Sequence, residues 1–430
     1  MKKIKIALLG LGTVGRGVWM ILNSNKEEIR KRAGYEVEVS KILVRNKNKK
    51  RGVDVPDNLI TTDYNDILND DSIKIVIEVM GGMNPAKEYI LKAMKNKKHV
   101  VTANKMLLAT DGDELFKMSN NMGVMLKYEA SVAGGIPIIK GIDESLTANK
   151  IEKLYGIVNG TTNYILSKME LEGSSFENAL KEAQDKGYAE ADPTSDVEGY
   201  DAQYKLAILA SLAFGTKIDL EKVYREGITK IESVDMQYAK EFKMGIKLLA
   251  IAKETDGKIE LRVHPTMVPK KHPLSNIYDS FNAVFINGNA VGDVMFYGRG
   301  AGDLPTGSAV VSDIVSIIRS GIQNEVSEVN NNLWDREILP MKDVKSKFYL
   351  RVSVKDEPGV LSDITSVLGK NNVSIRSVIQ KGEENEDGNV TIVIVTHMTT
   401  EGEFKKAMKQ IGDLKNVVEI ENMIRIEDFK

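Results

Sequence analysis

The first third of the chain alternates short apolar runs with longer segments of helical periodicity. Apolar runs of strand length occupy residues 4–9, 36–44, 73–79, 98–102 and 124–128. The segments 14–32, 85–96 and 112–121 have the length and spacing of amphipathic helices. This alternation predicts parallel strands joined by right-handed helical crossovers, and therefore an α/β region with a doubly wound parallel sheet over residues 1–130.

The middle of the chain mixes both element types. A long helix is predicted at 197–214, strands at 259–268 and 282–287, and a helix from about 305 to 322 after a glycine cluster. We expect an α+β region over 131–304 and the helix at 305–322 completing the first region. Residues 323–347 are polar and only weakly periodic, which predicts a linker.

The last part of the chain is regular again. Strands are predicted at 348–354, 374–380, 389–398 and 417–426, and helices at 359–371 and 400–411. This β-α-β-β-α-β order predicts a ferredoxin-like domain over 348–430.

Composition and charge restrict the class of function. A net charge of -2 gives no broad attraction for nucleic acid or for an anionic membrane, so we expect neither partner. The absence of cysteine excludes disulfides and thiolate chemistry and favours a cytoplasmic location. The first apolar run is interrupted by Lys5 and ends in glycines, which predicts a buried strand and not a leader peptide.

A glycine motif, Gly10-Leu11-Gly12-Thr13-Val14-Gly15, follows the first predicted strand and opens the first predicted helix. In a dinucleotide-binding turn these glycines serve the tight turn, the approach of the pyrophosphate and the packing of helix on strand. A merely structural turn is the alternative, but the surrounding α/β order favours a nucleotide site.

The residue after the second strand bears on the choice of nucleotide. An NAD-specific site usually has an acidic residue there for the ribose hydroxyls. This chain has Arg45, followed by the basic residues Lys47, Lys49, Lys50 and Arg51. A guanidinium can hold a 2′-phosphate, so the sequence favours NADP, with NAD as the alternative. A solvated basic loop is the other interpretation.

Hydride transfer to or from an alcohol also needs a proton donor and acceptor. None of the four histidines lies in a motif that marks it as an acid. A lysine amine partly removed from water can titrate near neutrality, which makes lysines the better candidates. Lys105 follows a predicted strand, at the sheet edge where open α/β sheets bind ligands. A surface charge is the alternative for Lys105.

Lys205 is the second candidate, one helical turn after Asp201. Such pairs are most often solvated surface ion pairs. Here the helix continues as an apolar segment, and the acids Glu190, Asp192 and Asp196 precede it. Acids clustered beside a helix of buried character indicate a pocket for a cationic group, such as the ammonium of an amino acid.

These residues resemble the homoserine dehydrogenase family over essentially the whole chain. The matching stretches are 10–15, 78–82, 102–105, 128–137, 156–165 and, most specifically, 187–205. The resemblance implies reversible oxidation of L-homoserine to L-aspartate 4-semialdehyde with NAD or NADP, in the biosynthesis of threonine, methionine and isoleucine. It implies a Rossmann-type nucleotide-binding domain and an α+β domain for catalysis and dimerisation.

The same resemblance implies roles for individual residues. Lys205 would exchange a proton with the reacting oxygen, with Asp201 as its supporting partner. Glu190 would hold the substrate's amino group, and Asp196, Gly187 and Tyr188 would belong to the same substrate site. Thr102 and Lys105 would lie beside the cofactor, and Lys105 beside the substrate as well. A structural sodium site is implied at the Glu129 carboxylate and the backbone carbonyls of Val132, Gly134 and Ile136.

The C-terminal region resembles an ACT domain, a small ferredoxin-like regulatory module. The match comprises residues 348–352 and 356–361. The turn before its first helix exposes N–H groups that can bind an amino acid's carboxylate, and the candidate residues there are Asp356, Pro358, Gly359, Val360 and Leu361. Threonine is the expected effector, a domain that only dimerises is the alternative, and we expect a homodimer or homotetramer.

Two other functions stay open from the sequence. One is another reductase of amino-acid metabolism with a Rossmann-type domain, which would need its own substrate motif in place of residues 187–205. The other is a non-catalytic sensor of NADPH and an amino acid.

Overall fold

The computed structural model describes residues 2–321, 335–381 and 388–429. The chain forms two compact units. The first comprises Met1–Gly160, Tyr204–Leu220 and Phe281–Asp335, and the second comprises Thr161–Gln203, Glu221–Ser280 and Arg336–Lys430. None of the helices in the described ranges is both long enough and apolar enough to cross a membrane.

The N-terminal region is a six-stranded parallel sheet with helical crossovers. Its strands are β1 (Lys3–Leu9), β2 (Glu36–Leu43), β3 (Ile60–Thr61), β4 (Ile73–Glu78), β5 (His99–Thr102) and β6 (Leu126–Lys127). Its helices are α1 (Thr13–Ser24), α2 (Lys26–Ala33), α3 (Asn65–Leu68), α4 (Ala86–Lys95) and α5 (Lys105–Met122). The order β3-β2-β1-β4-β5-β6, with every neighbouring pair parallel, confirms the doubly wound Rossmann-type sheet.

Two helices of this region differ from the prediction. The helix expected at 14–32 is broken at Asn25 into α1 and α2. The helix expected from residue 112 begins at Lys105, because the Asn104 side chain caps it by accepting the Leu107 N–H at 3.2 Å. Gly112, which suggested a helix start, is buried inside α5.

The middle of the chain contributes elements to both units. Its helices are α6 (Ile138–Lys140), α7 (Gly160–Glu172), α8 (Phe176–Asp185), α9 (Thr194–Val197), α10 (Tyr200–Phe214), α11 (Ser233–Glu241) and α12 (Asp303–Ser320). Its strands are β7 (Ile151–Ile157), β8 (Tyr224–Arg225), β9 (Met244–Thr255), β10 (Lys258–Pro269), β11 (Phe281–Gly288) and β12 (Gly292–Arg299). The single helix predicted at 197–214 is interrupted at Gly199, whose φ of +81° ends α9 before α10 begins.

In the first unit, α12 packs on the nucleotide-binding region. Its residues Val310 and Ile314 share a buried core cluster with Ile6 and Leu8 of β1. A Cβ on Gly307 would lie 2.7 Å from the carbonyl carbon of Gly17 in α1. Helices α12 and α1 therefore approach closely only because residue 307 is glycine. Strands β12, β11 and β7 form an antiparallel group in this unit.

The C-terminal region is ferredoxin-like, as predicted. Its elements are β13 (Lys345–Lys355), α13 (Val360–Lys370), β14 (Ile375–Gln380), β15 (Asn389–Thr396), β16 (Thr399–Thr400), α14 (Glu401–Gly412) and β17 (Val417–Ile426). The order β17-β13-β15-β14 is antiparallel, and β17 also pairs with β10 in parallel. The stacked rings of Phe348 and Phe404, 3.9 Å apart, lie in its core.

The predicted linker 323–347 is only partly covered. Residues 323–334 lie outside the described residues. Farther along, Ile338 bridges to Ile259, and β13 already begins at Lys345. The domain boundaries drawn from the sequence stay a prediction.

Candidate functional site

The glycine turn after β1 has a separate reason for each glycine. Gly10 has a φ of +106°, and a Cβ on it would lie 2.9 Å from the Val79 carbonyl oxygen. A Cβ on Gly15 would lie 2.3 Å from the Gly10 oxygen, so α1 can approach the turn only without a side chain there. Nothing lies within 4 Å of a Cβ on Gly12. The first and third glycines are thus required by the fold, and the second leaves open space.

This open space lies where a pyrophosphate is expected. Helix α1 begins at Thr13 with Gly12 as its cap, and no side chain caps its first N–H groups. Leu11 is buried in the core, Thr13 is exposed, and Val14 packs against the core cluster. The turn therefore fits the phosphates of a dinucleotide, which bind at uncapped helix starts.

Arg45 is exposed directly after β2, at the carboxyl end of the strand. The loop that follows is folded around another arginine. Arg51 Nη1 donates to the Lys49 carbonyl at 2.6 Å and Arg51 also contacts the Asn46 carbonyl, while Arg16 donates to the Arg51 carbonyl at 3.2 Å. Arg51 is therefore used to order the loop, and the Arg45 guanidinium is left exposed.

A buried carboxylate links the ends of β4 and β5. Glu78 is fully buried, and its oxygens accept the Thr102 hydroxyl at 2.7 Å and the Met80 and Gly81 N–H groups at 2.8 and 3.2 Å. Burial raises the pKa of Glu78. Since the Thr102 hydroxyl is engaged here, a cofactor contact of Thr102 would come from its backbone. Sequence reasoning included Glu78 in the matching stretch 78–82 but gave it no role, although an acid at the end of an apolar strand is the signal that could have indicated one.

Lys105 lies at the same sheet edge, as the first residue of α5, and is half-buried. The preceding Asn104 donates from Nδ2 to the Gly82 carbonyl at 2.7 Å. The start of α5 is thus tied to the loop after β4, which fixes the position from which the Lys105 side chain extends.

Lys205 and Asp201 lie one turn apart in α10, and both are buried, at 8% and 2% exposure. The Lys205 amine donates to the Val158 carbonyl at 2.7 Å, directly after β7. This burial excludes the solvated surface pair that the spacing alone allowed. The Lys205 amine is therefore largely removed from bulk water and held at a fixed position next to the end of β7.

The acidic segment before α10 is fastened mainly through its backbone. The Thr161 hydroxyl donates to the Tyr188 carbonyl at 2.7 Å, and Gln184 Nε2 donates to the Glu190 carbonyl at 3.1 Å. The Glu190 side chain is exposed, Asp196 is half-buried, and Gly187 has a φ of +73°. The segment therefore presents the Glu190 carboxylate to solvent.

The predicted substrate-site residues divide between the two units. The first unit carries Lys105 and Lys205, and the second carries Gly187, Tyr188, Glu190, Asp196 and Asp201. Helix α10 carries both Asp201 and Lys205.

The residues of the expected cation site surround a buried carboxylate. Glu129 is 2% exposed, and its two oxygens accept the Ile139 and Lys140 N–H groups at 2.8 and 2.9 Å. Burial raises the pKa of Glu129 to about 6. Asp313, also buried, accepts the Glu129 N–H at 2.8 Å and lies 2.9 Å from the Lys140 amine. Sequence reasoning missed Asp313.

This arrangement fits a monovalent cation. Glu129 and Asp313 are two buried carboxylates, and the Lys140 ammonium pairs with Asp313, which leaves the charge of Glu129 for a sodium ion to balance. Val132, Gly134 and Ile136 are buried, and Gly134 has a φ of +48°. A hard cation prefers oxygen donors, and the candidate donors are the Glu129 carboxylate and the backbone carbonyls of these three residues. Within the described ranges, no group of three or more histidine, aspartate or glutamate side chains suits a metal ion.

The expected regulatory turn is open. Gly359 has a φ of +97° and caps α13, without a side-chain hydrogen bond to the first N–H groups. Asp356, Pro358 and Leu361 are exposed, whereas Val360 is part of the core. The start of α13 therefore offers N–H groups to a carboxylate.

Comparisons with known proteins agree with this arrangement. The family model for the homoserine dehydrogenase NAD-binding domain matches residues 10–129, that for homoserine dehydrogenase matches 137–315, and that for the ACT domain matches 348–416. A homoserine dehydrogenase of Bacillus subtilis is 44% identical over 431 residues, covering 99% of each chain.

Solved structures show the same likeness. The crystal structure of a homoserine dehydrogenase from Thiobacillus denitrificans has a TM-score of 0.93 and 45% identity, covering 100% of this chain and 99% of that one. A mutant hyperthermophilic archaeal homoserine dehydrogenase in complex with NADPH has a TM-score of 0.62 and 26% identity, covering 74% of this chain and 98% of its own. The chain belongs to the homoserine dehydrogenase family, the NAD(P)-dependent oxidoreductases that act on the CH–OH group of homoserine, and it carries a C-terminal ACT domain.

Proposed function

We propose that Lys205 is the group that exchanges a proton with the reacting oxygen when this chain oxidises L-homoserine to L-aspartate 4-semialdehyde. The observation that carries this proposal is the burial of Lys205, whose amine lies 2.7 Å from the Val158 carbonyl. Asp201, in the same helix as Lys205, is buried as well. A buried amine at a fixed position can accept and return a proton there, which is what acid–base catalysis requires.

The chain's own residues divide the remaining tasks. Glu190, with its exposed carboxylate, binds the substrate ammonium, and Asp196, Gly187 and Tyr188 complete that side. Asp201 orients Lys205 along α10, and Lys105 extends from the start of α5 toward both ligands. When bound, the nicotinamide would supply the acceptor for the hydride that leaves the carbon bearing the hydroxyl group. During the oxidation of homoserine, Lys205 takes the proton of the hydroxyl group. In the reverse reduction, Lys205 returns that proton.

NADP is the nucleotide we propose. The Gly10–Gly15 turn receives the pyrophosphate, and the exposed Arg45 guanidinium binds the 2′-phosphate at the end of β2. The archaeal relative in complex with NADPH supports this choice. Glu129 and the carbonyls of Val132, Gly134 and Ile136 would hold a sodium ion, which would balance buried charge and take no part in the reaction.

Regulation and assembly extend the proposal. The open turn at Pro358 and Gly359 binds the carboxylate of threonine, which inhibits the enzyme through the ACT domain. The chain forms a homodimer or a larger homo-oligomer, because β12 is a terminal strand of its sheet within the described residues and exposes Met295 and Tyr297 on one face. A cytoplasmic location stays a prediction from the sequence.

The proposal is tested by following nucleotide reduction in the purified full-length chain with L-homoserine as the added substrate. We expect homoserine-dependent reduction of NADP at a lower KM than that of NAD. Reduction that proceeds only with a different amino-acid precursor would indicate another reductase. Tight NADPH binding without any turnover would indicate a sensor.

A further inference from the structure

A short segment of the second unit, residues 223–228, contacts both the ACT domain and the turn that precedes α10. We call it the bridging segment. It contains β8, which pairs in parallel with β10. The position of the bridging segment matters because Asp201 is the second residue of α10 and lies next to the turn that the segment contacts.

The bridging segment packs tightly on the turn between α9 and α10. The Ile228 N–H donates to the Val197 carbonyl at 2.8 Å, and Gln203 Nε2 in α10 donates to the Val223 carbonyl at 3.1 Å. A Cβ on Gly227 would lie 2.3 Å from the Val197 oxygen. The two backbones therefore touch, and a shift of one must move the other.

Arg225 adds side-chain contacts to the same turn. Its guanidinium carbon lies 3.5 Å from the centroid of the Tyr200 ring, and its Nη1 donates to the Glu198 carbonyl. Glu198 directly follows α9 and Tyr200 begins α10, so this one side chain spans the break at Gly199. Stacking together with a hydrogen bond fixes the direction in which α10 starts.

The next residue, Glu226, is bonded to the ACT domain. Arg425 in β17, which is 1% exposed, donates from Nη1 to Glu226 Oε2 at 2.8 Å and from Nη2 to the Tyr224 hydroxyl at 3.0 Å. The same guanidinium pairs with Glu401 at the start of α14. Charge-assisted hydrogen bonds of a buried arginine are strong and directional, so Arg425 fastens β17 to the bridging segment.

We propose that the bridging segment fixes the start of α10 in its catalytic position, with Arg225 and Glu226 as positioning residues and the ACT domain as their support. This inference rests on the proposed role of Lys205. A displacement of β17 would reach Glu226 first and then, through Arg225, the turn before Asp201. Misplacement of a reacting group by about 1 Å can cost about 100-fold in rate, so a small displacement suffices to change turnover.

The chain offers a matched control for Glu226. Arg351 in β13 donates from Nη1 to Glu421 Oε2 at 2.7 Å. The Glu421 side chain is 24% exposed, and that of Glu226 is 28% exposed. Both glutamates thus satisfy a buried arginine of the ACT domain to a similar extent, but Glu421 lies in β17 and outside the bridging segment.

The experiment compares Glu226→Gln with Glu421→Gln in the full-length protein. We expect Glu226→Gln to lower kcat with homoserine by about tenfold or more, with the Kd of NADP unchanged, since only the reacting geometry is disturbed. Glu421→Gln should leave kcat within about twofold at a similar loss of thermal stability. Arg225→Met should lower kcat like Glu226→Gln, and Arg225→Lys should restore part of it by donating to the Glu198 carbonyl.

Equal kcat values for Glu226→Gln and Glu421→Gln, at equal losses of stability, would overturn the positioning role. Should Glu226→Gln fail to fold, the kcat values of Arg225→Met and Arg225→Lys decide in the same way. A Lys205→Met variant measured alongside separates the two proposals. If it turns over normally, the proposed role of Lys205 fails. If it is inactive while the bridging-segment variants match their control, only the positioning role fails.

Discussion

In the nucleotide-binding region the candidate site is made of backbone, whereas around α10 it is made of side chains whose positions depend on residues far away in the chain. The turn at Gly10–Gly15 works through a positive φ, a close helix approach and an open space. Lys205 instead depends on the Val158 carbonyl, and the turn before Asp201 depends on Arg225.

This difference determines how each region responds to substitution. A backbone site tolerates changes around it, but a side chain added at Gly10 or Gly15 disturbs the fold, and one added at Gly12 enters the space expected for the pyrophosphate. A side-chain site is supported by charged groups that were removed from water, and each of them is costly when its partner is lost. The second unit contains three such buried arginines, Arg262, Arg351 and Arg425, within its described residues.

The largest effect on stability is expected from Glu401→Gln. Arg425 and Glu401 are both about 1% exposed at the side chain, and removing one partner of such a pair typically costs about 3–5 kcal/mol. The contact of Arg425 with Glu226 remains, so we expect the lower end of that range. Urea unfolding of this variant against the wild type measures the loss. A change within error would show that the pair is replaceable.

The same pair predicts a dependence on acid. Burial alone would raise the pKa of Glu401, but the hydrogen bonds and the charge of Arg425 outweigh it and hold the pKa below the ordinary value of 4.5. Stability from this carboxylate is therefore complete above pH 4.5 and is lost as the pH falls through the lowered pKa. Unfolding curves of Glu401→Gln should show less loss of stability over that interval than those of the wild type.

Lys247→Met probes another buried charge of the second unit. The Lys247 amine is fully buried and donates to the Ile277 carbonyl at 2.6 Å. Burial lowers its pKa from 10.5 to about 8. Between these values the unfolded chain keeps the proton and the folded one releases it, so wild-type stability should rise by about 3 kcal/mol as the pH increases. Urea unfolding of Lys247→Met at a series of pH values should lack this rise in stability. An equal rise in the variant and the wild type would show that Lys247 is not its source.

The glycine turn is tested by a pair of alanine variants. Gly15→Ala places a Cβ 2.3 Å from the Gly10 oxygen and should cost about 1–3 kcal/mol of stability by overpacking. Gly12→Ala meets nothing within 4 Å at a φ of -82° and should leave the thermal midpoint unchanged. It should nevertheless raise the Kd of NADP about tenfold, because the methyl group occupies the space for the pyrophosphate. Unchanged nucleotide affinity in Gly12→Ala would place the phosphates elsewhere.

An effect confined to one of the two nucleotides is expected from Arg45→Ala. Loss of the exposed guanidinium should raise the KM of NADP by about tenfold, or about 1.4 kcal/mol, and leave that of NAD unchanged. The matched control is Arg51→Lys, which keeps the charge but removes the contacts with the loop carbonyls. Equal effects of Arg45→Ala on both nucleotides would identify the loop as merely solvated.

The fold was predictable where the pattern is local. Strand β17 was expected at 417–426 and has those bounds, because its apolar positions and its turns are adjacent in sequence. The start of α5 was misplaced because the Asn104 cap outweighs the glycine inside the helix. Strand β12 was not predicted because its glycines weaken the strand pattern in its sequence. Its pairing with the neighbouring strand β11 stabilises it in the folded chain.

The sequence selected Arg45, Lys105 and Lys205 as site candidates from their position after a strand or within a helix, and their roles stay predictions. The roles of Glu78 and Asp313 were not predictable, because their partners Thr102 and Glu129 lie far away in the chain. No spacing rule relates such pairs, and only the folded chain brings them together.

Turnover and NADP binding measured on the same preparation of Lys205→Met test the account most directly. General acid–base groups contribute about 10²–10⁴-fold, so kcat with L-homoserine should fall by that factor while the Kd of NADP stays at the wild-type value. Such a result would separate the side-chain site from the backbone site. Turnover near the wild-type rate, at unchanged nucleotide affinity, would contradict the role given to the α10 lysine.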